Sequence, residues 1–134
     1  MVYTIPSMKT ITQVYTIKAS VSKVWNALII PAEIDKWNGG PAKMTDKEGV
    51  SFSLWGGDIH GKNVKVVKEK ELKQEWYGGD WDKPSIVTFT LKEAKGMTAV
   101  TLFQADVPDD EAKDIADGWD DYYLGAIKEY LERS

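Results

Sequence analysis

From Val50 onward the hydrophobic pattern of this chain changes period once. Between Val50 and Asp106 apolar residues recur at every second position, and from Asp109 onward they recur at helical spacing. Strands bury alternate residues and helices bury a stripe of period 3.6, so the change divides the chain into a sheet-forming body and a helical end. Val50, Phe52 and Leu54 alternate with Ser51, Ser53 and Trp55. Val64 and Val66 alternate with Asn63, Lys65 and Val67, and Leu72, Gln74 and Trp76 with Lys73, Glu75 and Tyr77. Ser85 to Leu91 sets Val87, Phe89 and Leu91 on one face, and Thr98 to Asp106 does the same with Val100, Leu102 and Gln104. Lys95-Gly96 supplies a tight turn between these last two runs. Links this short predict an antiparallel meander of five or six strands, since parallel pairing needs crossovers of about a dozen residues or more. The helical end, about Asp109 to Glu132, is predicted to be roughly 36 Å long. Its apolar face carries Ile115, Ala116, Trp119, Tyr122, Tyr123, Ala126, Ile127 and Tyr130, opposite Asp117, Asp121, Lys128 and Glu132.

Ahead of the meander, Met8 to Ala19 is rich in Thr, Ile, Val and Tyr and reads as a first strand. Ser20 suits an N-cap, and Val21, Val24, Trp25 and Leu28 then follow at helical spacing until Pro31 stops them. Pro31 fits the first turn of a second short helix, Ala32 to Trp37, ended by Asn38-Gly39-Gly40. At 134 residues the chain has the size of one domain, predicted to span 1–134. Its net charge of −4 and its interleaved acids argue against a phosphate-backbone grip, so no nucleic-acid partner is expected. The absence of cysteine removes disulfides, thiolate metal sites and cysteine nucleophiles, and is compatible with a reducing cytosol. No apolar run approaches the ~18 residues of a membrane span, and the N-terminus does not read as a secretory signal. A soluble, unprocessed, cytoplasmic protein is the expectation.

The stretch SLWGGDIHG (Ser53 to Gly61) concentrates glycines, an acid and the only histidine. The spacing of Gly56, Gly61 and Lys62 formally matches a phosphate loop. Asn63, however, stands where the magnesium-binding hydroxyl belongs, and a strand follows where a helix should. A turn between antiparallel strands accounts for it better. His60 reads as a turn or surface residue, and Asp80 with Asp82 as part of a loop near Pro84. Asp109, Asp110, Glu111 and Asp114 suit the positive end of the helix dipole better than a metal site. No catalytic set, metal or cofactor is expected. Gln74 and Gln104 are predicted to point inward, where an unpaired amide costs about 1–3 kcal/mol, so each needs a partner. Gly118 and Gly125 each cost ~1 kcal/mol against alanine inside a helix, which close strand approach or cavity space would explain.

The order of elements is matched by particular segments: ASVSKVWNALIIP (Ala19 to Pro31) with Trp37, FSLWGGDIHGKN (Phe52 to Asn63), QEW (Gln74 to Trp76), SIVTFTL (Ser85 to Leu91), TLFQADVP (Thr101 to Pro108) and GWDDYYLGAIKEYL (Gly118 to Leu131). With these the chain resembles the START-like (SRPBCC) superfamily, and within it the family of the C-terminal domain of the heat-shock protein 90 ATPase activator. The resemblance implies an α+β helix-grip, a curved antiparallel sheet wrapped on the long C-terminal helix. It also implies an apolar cavity between the two, of a kind commonly used to hold a hydrophobic small molecule; some members of the superfamily carry out chemistry there, and the lack of a catalytic set makes binding without catalysis the expectation for this chain. The residues expected to line it are Trp37, Phe52, Leu54, Val64, Trp76, Phe89, Leu102, Gln104, Trp119, Tyr123 and Ile127. The alternative is a chaperone-associated interaction module, with a chaperone as partner, working through an exposed surface.

Overall fold

The computed structural model describes residues 8–78 and 81–133. Asp80 of the Asp80/Asp82 pair and the segment before Met8 lie outside them. Strand β1 (Met8–Ile17) leads into helix α1 (Val21–Ile29) and helix α2 (Pro31–Lys36). Strands β2 (Ser51–Leu54), β3 (Ile59–Val67), β4 (Glu71–Gly78), β5 (Ser85–Ala94) and β6 (Met97–Pro108) follow. Consecutive strands from β2 to β6 pair antiparallel in four ladders, and β1 adds to the edge of β6, giving the order β1-β6-β5-β4-β3-β2. The C-terminal helix then crosses the inner face as α3 (Ala112–Gly118), a π-helical turn (Trp119–Tyr123) and α4 (Leu124–Arg133). The α+β helix-grip architecture is therefore the observed one.

Local chemistry sets the boundaries. The Ser20 hydroxyl accepts from the Lys23 N–H at 3.3 Å, capping α1. Pro31 opens α2, where its missing N–H is not needed, and Asn38 leaves it with φ 73°. Lys95 and Gly96, both at positive φ, make the β5–β6 turn, whose twist suits an antiparallel pair. The period-two reading holds on β4, β5 and β6: Leu72, Gln74 and Trp76, Val87, Phe89 and Leu91, and Val100, Leu102 and Gln104 are all buried.

Strand β3 departs from the reading. Its register against β4 slips between Asn63 and Lys65, so Val64 is an inserted residue that faces out at 41% exposure, not the wall residue expected. Asn63 takes the inward position. Its amide nitrogen donates to the carbonyls of Thr45 (2.7 Å) and Lys47 (3.2 Å), and its oxygen accepts from Gln74 Nε2 (2.9 Å). The polar side chain is buried because it ties the preceding loop to the sheet, and the bulge is what turns it inward.

The helix departs from a regular wheel at the π-helical turn. Leu124 N–H bonds back five residues to the Trp119 carbonyl, which inserts one residue and rotates everything after it by roughly 100°. Leu124 joins Tyr123 and Ile127 in the core, and Tyr122, expected on the buried face, is turned out to 67% exposure. Gly125 makes this turn possible: a Cβ there would lie 1.7 Å from the Asp120 carbonyl oxygen.

Candidate functional site

Aromatic rings fill the centre of the space between sheet and helix. Tyr123 packs against Trp37 and Trp119, each at 4.7 Å between ring centroids, with Trp76 at 5.6 Å, Phe89 at 5.7 Å and Trp55 at 6.1 Å. Trp76 and Trp119 lie 4.9 Å apart. Inward amides orient both indoles. Trp76 Nε1 donates to Gln74 Oε1 and Trp119 Nε1 to Gln104 Oε1, each at 2.8 Å. The two glutamines predicted to need partners thus take indole N–H groups and do not bond each other. The rings they hold turn apolar faces to their surroundings.

Beside these rings an apolar cleft of about 250 Å³ stays open, lined by Trp55, Ile59, Trp76, Ile115, Gly118, Trp119, Tyr122 and Tyr123. The β2–β3 turn forms one wall. Trp55 sits there in the left-handed region (φ 49°), followed by Gly56 and Gly57, also at positive φ. Its indole N–H donates to the Asn38 carbonyl at 2.7 Å and its backbone N–H to the Gly39 carbonyl at 2.9 Å. The loop after α2 therefore holds a ring over the cleft that strand alternation had assigned to the outer face. The helix forms the other wall, and at Gly118 it carries no side chain. A Cβ built there meets nothing within 4 Å, and the backbone is ordinary helix at φ −63°. Neither sterics nor conformation demands glycine at this point.

Tyr123 is the one wall residue with a buried polar group left without a partner among the described residues. It is 2% exposed, and its hydroxyl has no hydrogen-bond partner among the described residues. Burial pushes its phenol well above the ordinary value, so it is a neutral donor in this site.

Residues 18–132 match the model of a family described as Activator of Hsp90 ATPase homolog 1-like protein. The chain belongs to that family. Among relatives, the activator of 90 kDa heat shock protein ATPase homolog of Dictyostelium discoideum is 27% identical over 126 residues, 92% of this chain and 33% of that protein. The human homolog 1 is 24% identical over 127 residues, 93% of this chain and 37% of its own length. The chain spans about a third of the length of these curated relatives. The crystal structure of an Hsp90 activator from Plasmodium falciparum superposes with a TM-score of 0.85 at 21% identity, covering 94% of this chain and 97% of that one.

The eleven residues expected to line a cavity separate into three groups. Trp76, Trp119 and Tyr123 line the cleft. Trp37, Phe52, Leu54, Phe89, Leu102, Gln104 and Ile127 are buried beyond it, in the packed interior. Val64 faces out. The cleft residues absent from the expected lining are Trp55, Ile59, Ile115, Tyr122 and Gly118, the last of which the sequence ties to close strand approach or cavity space. An aromatic residue set directly before Gly-Gly was the available signal for Trp55. His60 is exposed and stacks on Tyr77 across the β3–β4 pair, with 5.5 Å between centroids and 8° between planes. Among the described residues no helix is long and apolar enough to cross a membrane.

Proposed function

We propose that this chain is an interaction module of the Hsp90 ATPase activator kind, which binds a chaperone of that class and regulates its ATP turnover. The observation that carries the reading is the family match over residues 18–132, nearly the whole described fold, together with relatives named as activators of the chaperone's ATPase. The role is non-catalytic: the chain contributes a surface to the partner's own reaction cycle, and His60, stacked on Tyr77, takes no part. A cytoplasmic location goes with this reading. Carriage of a free hydrophobic molecule has less in its favour. The rings of Trp37, Phe89 and Tyr123 occupy the centre of the expected cavity, and the cleft beside them, about 250 Å³, is below the ~300–1,000 Å³ of small-molecule sites.

The test is retention of an Hsp90-class chaperone on the immobilised chain, with the chaperone's steady-state ATPase measured at increasing amounts of the chain. Retention with a rise in turnover is the expected result. No retention and an unchanged rate would remove the reading.

A further inference from the structure

The cleft beside Gly118 has features of a docking point. Its volume of about 250 Å³ is more than the 150 Å³ or so that takes up a benzene ring and less than a typical metabolite pocket, which is the scale of one bulky side chain. Its walls are Trp, Ile and Tyr, and the indole N–H groups of Trp55, Trp76 and Trp119 are all engaged elsewhere. Burial of an apolar group is therefore the main attraction it offers. Gly118 is the residue that keeps it open, although any side chain could adopt its backbone conformation and a Cβ would meet no atom.

The surroundings choose the occupant. Asp58 lies in the β2–β3 turn that forms one wall, and Asp114 and Asp121 lie on the helix that forms the other, all three exposed. Between Asp109 and Asp121 there are seven acids and one lysine, Lys113, which is bridged to Asp117 at 2.8 Å. Asp58, Glu111 and Asp121 make no salt bridge among the described residues. An apolar slot the size of one side chain, set between two elements that carry exposed acids, is complementary to a cationic segment carrying an apolar anchor.

We infer that this cleft docks a basic segment of a partner protein, which inserts one aromatic or large aliphatic side chain between Trp55, Trp119 and Gly118 while its lysines and arginines meet the surrounding carboxylates. The inference deepens the module reading by naming the partner's chemistry, but the binding measurement below does not depend on that reading.

The experiment is fluorescence anisotropy with short arginine- and lysine-rich peptides carrying a central Trp, Phe or Leu, titrated with the full chain and with the Gly118→Leu variant. Helical φ and open space predict that Gly118→Leu folds, and thermal unfolding verifies it. At least one basic, apolar-anchored peptide is expected to bind. Its affinity should drop by about tenfold or more when the anchor becomes Ser, when the basic residues become Glu, or when Gly118 becomes Leu. Added salt should weaken it. Absence of binding by every such peptide, equal binding by folded Gly118→Leu, or equal binding by the acid-flanked peptide would overturn the inference. So would a free apolar compound such as indole occupying the cleft while no peptide does. A chaperone that binds the wild type and Gly118→Leu equally would leave the module reading standing and count against this docking point. A chaperone that binds neither would remove the module reading, and the peptide titration would still decide the inference.

Discussion

Gly118 and Gly125 lie seven residues apart in the same C-terminal helix and are there for opposite reasons. At Gly125 the chain itself requires glycine, because the π-helical turn brings the Asp120 carbonyl to 1.7 Å from where a Cβ would stand. At Gly118 the chain requires nothing of the kind, and the lost helix propensity of ~1 kcal/mol has no structural return. One glycine is explained by the backbone and the other by the space in front of it. The same division runs through the interface: the helix past the π turn packs Leu124 and Ile127 into a filled core, and the turn before it leaves a slot beside Trp119.

Trp119 belongs to both halves, so its removal should have the largest effect. Trp119→Ala takes away a ring packed on Trp76, Phe89 and Tyr123 and deprives Gln104 of its indole donor. A loss of ~3–5 kcal/mol is expected in urea unfolding. A loss under ~1 kcal/mol would mean that the filled half can collapse onto the slot, and the two regions would then be one. Gly125→Ala comes next. Overpacking against the Asp120 carbonyl should outweigh alanine's better propensity and leave a net loss of ~1–3 kcal/mol, with altered NMR shifts around Tyr122 and Tyr123 as the turn readjusts. Gly118→Ala should have the opposite sign, a gain of ~1 kcal/mol. If both substitutions move stability the same way, the contrast between the glycines is lost.

The sequence reached most of the fold because most of it is locally determined. Ser20, Pro31, Asn38 and Lys95-Gly96 each act within a turn of themselves, and alternation on β4, β5 and β6 follows from the pleat. The two misread segments are those in which a distant partner decided the local phase. On β3 either phase places a polar residue inside or out, and Asn63 is drawn in by the carbonyls of Thr45 and Lys47, far back in the chain. In the helix a wheel of constant pitch cannot represent a five-residue turn. Leu124 and Leu131, apolar yet absent from the predicted face, were the trace that the phase had slipped. The candidate site was legible in its rings, Trp76, Trp119 and Tyr123, and not in its extent. Trp55 enters it through a left-handed backbone and a hydrogen bond to Asn38, neither of which alternation encodes.

The smallest expected effect concerns how the π turn is fixed to the sheet. Asp120 presents its carbonyl to Gly125, and its carboxylate lies 3.2 Å from the Tyr15 hydroxyl on β1. Burial first, and the Asp120 charge second, raise the Tyr15 phenol from 10.0 to about 12. The folded chain therefore holds this proton more tightly than the unfolded one does. Its contribution to stability is complete below pH 10 and is lost as the pH climbs from there to about 12. Tyr15→Phe removes that dependence along with the hydrogen bond. Melting temperatures measured across this alkaline window should fall less steeply for Tyr15→Phe than for the wild type. Some decline should persist in the variant, because Tyr123 is also raised by burial and remains. Parallel declines in the two proteins would show that the phenol does not hold Asp120, and that the geometry at Gly125 is set within the helix alone.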